Sequence, residues 1–169
     1  MRIKFFLLTL TMLALVCWLA VSCSGNDAAS SQTPAAPAAA PPPPPPASPK
    51  GIGEVKNVTL TDPFEESMLA SGKAIYDMKC SACHKLTDQR VVGPGWAGVT
   101  NRRRPEWVMN MVTNVDVMLD EDPQARKLLE ECLTRMPNQR VSIGDARALL
   151  EFMRKNDMEQ VGSKDEAAI

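Results

Sequence analysis

Cys80-Ser81-Ala82-Cys83-His84 is the stretch on which the fold turns, and His84 is the chain's only histidine. Two cysteines three apart with a histidine directly behind them form the attachment pattern for a c-type haem. The spacing has a chemical reason. Two thiols must reach the two vinyl groups on one porphyrin edge, and the next side chain must lie under the ring as an imidazole ligand. Because no other histidine exists, the chain can hold one such haem, and its sixth ligand cannot be a second imidazole. A thioredoxin-like cysteine pair would need a βαβ pattern around it, and none is visible. A zinc site from Cys80, Cys83, His84 and Cys132 would be crowded, since structural zinc ligands come as two separated pairs.

Outward from this motif, the chain divides by composition. Arg2 and Lys4 precede an apolar run from Phe5 to Ala20, which is a targeting segment to be kept out of the fold. The run ends in Ala20-Val21-Ser22-Cys23, small residues before a cysteine, which resembles the lipobox of bacterial lipoproteins. That reading makes 1–22 a signal peptide and Cys23 the lipidated membrane anchor. It exports the protein to face the periplasm or the cell exterior. Ala20 departs from the usual lipobox opening, and Val16 before Cys17 makes Cys17 a poorer candidate. An uncleaved anchor is the competing reading, and it exports the chain as well.

Nine of the fourteen prolines fall between Pro34 and Pro49, six of them consecutive from Pro41 to Pro46. Such a segment cannot bury a core, and its proline run forms a semi-rigid extended spacer. Residues 23–61 are therefore expected to be a disordered, lipid-anchored linker, with 51–60 a transition that is either part of the linker or ordered against the domain. The domain itself is expected over 62–157, followed by a flexible tail over 158–169.

Within 62–157 the pattern is all-α, with four helices. The first opens at Asp62-Pro63, with Glu65 three residues on, and places Met68, Leu69, Gly72, Ile75 and Tyr76 on one face. The second follows Pro105, with Trp107, Val108, Met111, Val112 and Val115 on a face. The third starts at Asp122-Pro123 and presents Ala125, Leu128, Leu129, Cys132 and Leu133, which would make Cys132 a buried inert thiol. The fourth is capped by Ser142 and shows Ala146, Leu149, Leu150 and Met153.

The sixth iron ligand is sought among the methionines. Met136-Pro137 sits in a short loop between the last two helices, 52 residues after His84. A loop methionine can present its thioether to iron. Met111 and Met153 fall on apolar stripes, where methionine fills core space, and Met118 and Met158 are further rivals.

Residues 62–156 resemble the class I cytochrome c family. The matching elements come in order: Cys80-Ser-Ala-Cys83-His84 after a first helix, Gly93-Pro94-Gly95-Trp96, then Met136-Pro137 before a last amphipathic helix. The resemblance implies a small fold around one covalent haem c. It implies that Cys80 and Cys83 form the thioethers, and that His84 and Met136 are the proximal and distal iron ligands. The carbonyl of Pro94 would hold the far nitrogen of His84, and Trp96 would border the haem where the family often has a smaller aliphatic. Gly72 and Tyr76 would cross Leu149 and Phe152. Arg102-Arg103-Arg104 is not a family feature. It would pair with haem propionates, face a partner or be a solvated loop, and Trp107 would serve a propionate or the core.

The resemblance and the filled axial positions together point to one-electron transfer rather than catalysis. The expected protein is a monomeric carrier exchanging electrons with respiratory redox proteins. The alternative is a haem peroxidase or gas-binding sensor in which Met136 leaves iron. A net charge of −1 carries no nucleic-acid signature. From Gly51 onward, 16 Lys/Arg against 19 Asp/Glu leave −3, with acids grouped at Asp116, Asp120, Glu121, Asp122, Glu130 and Glu131, a dipolar layout suited to orienting a docking partner.

Overall fold

The computed structural model describes residues 48–168. The apolar run, Cys17, Cys23 and the six-proline segment lie outside the described residues. Six helices are present there and no strand: α1 Glu66–Ile75, α2 Val99–Arg102, α3 Pro105–Thr113, α4 Val115–Glu121, α5 Pro123–Cys132 and α6 Ile143–Val161. The all-α expectation holds, with six helices rather than four.

The extra helices have local causes. The apolar stripe that began at Pro105 breaks at Asn114, whose backbone leaves helical geometry at φ −135°, ψ 42°. Its side-chain amide donates to the Ile52 carbonyl at 3.1 Å instead of facing solvent. The stripe then resumes as α4, which buries Val115, Met118 and Leu119. Helix α2 is a single turn whose entry is held from afar. The buried carboxylate of Asp157 on α6 accepts from the Gly98 and Thr100 amides and the Thr100 hydroxyl, at 2.7–2.8 Å.

Two caps fall where the pattern placed them. Asp122 accepts from the Gln124 and Ala125 amides, and Ser142 from Asp145 at 3.0 Å. The cap expected at Asp62 does not form, and α1 starts at Glu66. The Asp62 carboxylate is engaged by Lys164 at 3.1 Å, and Phe64 lies under the Arg154 guanidinium and Lys164 ammonium. Tertiary charges have taken the side chains that a local motif would use.

The core forms where α1 crosses α6. A side-chain carbon on Gly72 would overlap the Ala148 carbonyl and press on Phe152, so only glycine lets the backbones meet this closely. Tyr76 packs on Phe152 at 5.7 Å and on Trp96 at 5.0 Å between ring centroids. The crossing expected at Gly72 and Tyr76 is thus present.

Both expected domain edges move outward. Residues 48–61, assigned to the linker, include a strap bound to the domain. Asn110 on α3 is fully buried. Its amide donates to the Lys50 and Val55 carbonyls, and its side-chain oxygen accepts from the Val55 amide, at 2.9–3.1 Å. Val55 is buried, and Lys50 pairs with Glu106 at 3.1 Å. At the other end α6 runs to Val161, and the supposed tail returns to the fold. Asp165 accepts from the buried Arg154 guanidinium at 2.7–2.9 Å, and Asn101 donates to the Ser163 hydroxyl. Arg154 also holds the fully buried Glu151 and the Thr61 carbonyl. Polar residues without periodicity read as linker, yet their backbone groups find partners on the helices.

Candidate haem site

The motif cysteines inherit their position from α1. Its last turn widens into a π-helical turn, Tyr76–Cys80, with the Ser81 amide bonded to the Tyr76 carbonyl at 2.9 Å. The Cys83 and His84 amides then both donate to the Cys80 carbonyl, at 3.1 and 2.9 Å. The motif is therefore a tight coil directly continuing a helix pinned at Gly72. Such π turns in α-helices are frequently found at functional sites. The Tyr76 hydroxyl donates to the His84 carbonyl at 2.9 Å, tying the end of the coil to the aromatic core.

The segment after the motif folds back beneath the imidazole. The Gly93 amide donates to the Cys83 carbonyl at 3.0 Å and the Trp96 amide to Lys85 at 2.9 Å. A side-chain carbon on Gly93 would overlap the His84 ring, so the close approach requires glycine. The next residue supplies the contact the resemblance implied, with His84 Nδ1 lying 2.9 Å from the Pro94 carbonyl. A carbonyl only accepts, so Nδ1 carries the proton and the Nε2 lone pair is left for a metal. Burial lowers the imidazole pKa, against an opposing effect of the Pro94 bond, and so favours the neutral ring. Trp96 is buried, with its ring 5.6 Å from that of His84.

The loop between α5 and α6 reaches the same region. Met136, Pro137, Gln139 and Val141 line one cleft together with Lys79, Cys80, Cys83, His84 and Trp96, closed by Val112 of α3 and Leu149 of α6. Its cavity volume is about 40 Å³. Every candidate site residue except Pro94 thus borders one cleft, and Pro94 holds His84 from behind. Burial pushes the Cys80 thiol up to about 11, keeping it neutral in an apolar wall. The donor set fits a c-type haem: two thiols on one turn, one imidazole lone pair, one thioether and apolar walls.

None of the rival methionines borders the cleft. Met118 is fully buried and its sulfur accepts from the Ile52 amide at 3.1 Å. Met153 is core, Met111 packs against the core and Met158 is exposed.

Other expectations change. Trp107 gives its indole N–H to Asp122 at 3.2 Å, so it is a core tryptophan. The arginine run is folded onto the protein rather than the cleft. Arg102 donates to the Ala97 carbonyl, Arg103 stacks on Trp107 at 5.0 Å, and Arg104 donates to Ala168. Cys132 is only half-buried and Leu133, in left-handed conformation at φ 56°, is 88% exposed. Helix α5 ends at Cys132, one residue short of its apolar pattern, with Leu133 as the left-handed cap that reverses the chain toward the Met136 loop. Cys132 does not join the motif, and no three potential metal-binding His, Cys, Asp or Glu side chains converge among the described residues, which removes the zinc reading. Lys79, Gln139 and Val141 were not singled out from sequence. Only the fold shows Lys79 donating to the Gln139 carbonyl at 2.9 Å.

The profile of the family described as cytochrome c matches residues 69–157. No curated protein matches the chain. Among solved structures, a cytochrome c from Rhodothermus marinus is 34% identical with TM-score 0.62, over 64% of this chain and 92% of that one. An engineered form of the Rhodothermus marinus protein is 32% identical with TM-score 0.61, over 65% and 98%. The engineered form bound to a carbene intermediate is 31% identical with TM-score 0.59, over 65% and 98%. Family profile, fold and cleft agree, and the chain belongs to the cytochrome c family, a c-type cytochrome of electron-transfer type with one covalently held haem c.

Proposed function

We propose that this cytochrome is a membrane-tethered one-electron carrier of the bacterial cell envelope, with His84 and Met136 as its axial ligands. One observation carries the reading: His84 and Met136, from segments 52 residues apart in sequence, face the same cleft as both cysteines.

Haem, when bound, supplies an iron that accepts and releases one electron. The chain's residues set the terms. Cys80 and Cys83 would hold the group covalently. His84, with its Nδ1 proton committed to Pro94, would present a fixed lone pair. Met136 would supply a thioether, which favours a higher potential than a second nitrogen ligand. Trp96, Val112, Val141 and Leu149 exclude water. With His84 and Met136 both committed to the iron, no position would be left for a substrate, which favours electron exchange with respiratory redox proteins over enzymatic turnover. The Ala-Val-Ser-Cys23 ending of the apolar run and the proline segment support a lipidated N-terminus facing the periplasm or cell exterior. The monomeric haem domain is then carried on a semi-rigid spacer.

The test is spectroscopic. The oxidised holoprotein is expected to show the weak far-red charge-transfer band of thioether-bound ferric iron. Met136→Ala should abolish it and lower the potential, while Met118→Ala should keep it. Loss of the band in Met118→Ala but not in Met136→Ala overturns the assignment.

A further inference from the structure

The loop that carries Met136 has no secondary structure of its own, and its attachments fall on both sides of that residue. Asp116 and Asp120 lie one turn apart on α4, a helix whose opposite face is fixed by buried Val115, Met118 and Leu119. Arg135 forks onto them. Nη1 donates to the Asp120 carboxylate at 2.9 Å, and Nη2 reaches the Asp116 carbonyl at 3.2 Å and its carboxylate at 3.8 Å. Two residues past Met136, the Asn138 amide donates to the other Asp116 oxygen at 3.2 Å. Beyond it the Gln139 carbonyl takes the Lys79 ammonium, from the residue just before Cys80. One carboxylate, Asp116, is thus gripped from both sides of Met136-Pro137, and the haem motif itself closes the circuit.

We infer that Arg135 is a positioning residue. By clasping Asp116 and Asp120 it holds the Met136 thioether toward the iron and so keeps exogenous ligands out of the sixth position. The inference rests on Met136 being the distal ligand. Two of the six acids in the dipolar layout read from sequence, Asp116 and Asp120, have Arg135 as an intramolecular partner. The clasp is surface-exposed, with Arg135 44% and Asp120 61% accessible, so it is screened by salt and adds little to global stability. Its effect is confined to the loop, where the competition is between a tethered thioether and a ligand from solution.

The experiment uses ferric holoprotein and imidazole as the probe ligand. In Arg135→Ala, imidazole is expected to bind about fivefold tighter than in wild type. The far-red band should persist without imidazole, and the melting temperature should stay within about one degree of wild type. Asp120→Ala, which leaves the Arg135 contacts with Asp116, should give a smaller gain, and the double variant no more than Arg135→Ala alone. Raising ionic strength should tighten imidazole binding to wild type but not to Arg135→Ala. Arg135→Lys should restore part of the protection. Unchanged imidazole affinity in Arg135→Ala, with the band still lost in Met136→Ala, overturns the clasp alone. Retention of the band in Met136→Ala overturns the ligand assignment and the clasp with it. A melting temperature that falls in proportion to the affinity change makes Arg135 merely structural and also refutes the role.

Discussion

Asn110→Ala tests how firmly the segment ahead of the haem domain belongs to it. The Asn110 carboxamide makes three hydrogen bonds to the strap, two to carbonyls and one from an amide. Alanine removes all three and leaves the strap groups to find water. At a net value of about 1 kcal/mol each, the loss is about 3 kcal/mol, and detachment would also expose Val55, which is 8% accessible. For a domain of this size, that corresponds to a melting point about 12 °C lower. Asn114→Ala removes one such bond, to Ile52, and should cost about 1 kcal/mol. Thermal melts of the holoproteins by far-ultraviolet dichroism give the comparison. Limited trypsin digestion localises it, because Lys56 lies within the strap, and cleavage there should accelerate in Asn110→Ala and far less in Asn114→Ala. A melting point no lower than that of Asn114→Ala, with Lys56 equally protected, would refute the reasoning and return these residues to the linker.

Gly72→Val should prevent the α1–α6 approach, since even a single added carbon overlaps the Ala148 carbonyl, and the yield of folded holoprotein on expression should collapse where Ala70→Val, on the exposed face, leaves it intact. Arg154→Met removes one of two cationic partners of Asp165 and one of two guanidinium partners of buried Glu151. A loss of about 3 kcal/mol in guanidinium unfolding is expected, because a buried carboxylate is left short of countercharge, and an unfolding midpoint equal to wild type would contradict it. Cys23→Ser should block lipid labelling and release the protein from membranes. Full membrane retention without the lipid would favour an uncleaved anchor.

The sequence by itself determined the cofactor and the order of the fold. Cys80, Cys83 and His84 state their chemistry through spacing alone, and a single histidine restricts the axial partners whatever the backbone does. Asp122-Pro123 and Ser142 announced helix starts because capping acts over three or four residues. Tertiary structure decided what depends on distant groups. Asp62 lost its cap to Lys164, 102 residues away. Asn110 and Asn114 became anchors for a strap that composition assigns to a spacer, because their partners are backbone atoms with no side-chain signature. Arg135 shows the difference most directly. In sequence it is one more solvated charge beside Met136, and only the packing of α4 brings two carboxylates to it. Local rules place elements, whereas the grip on the loop bearing the candidate sixth ligand is a property of which surfaces meet.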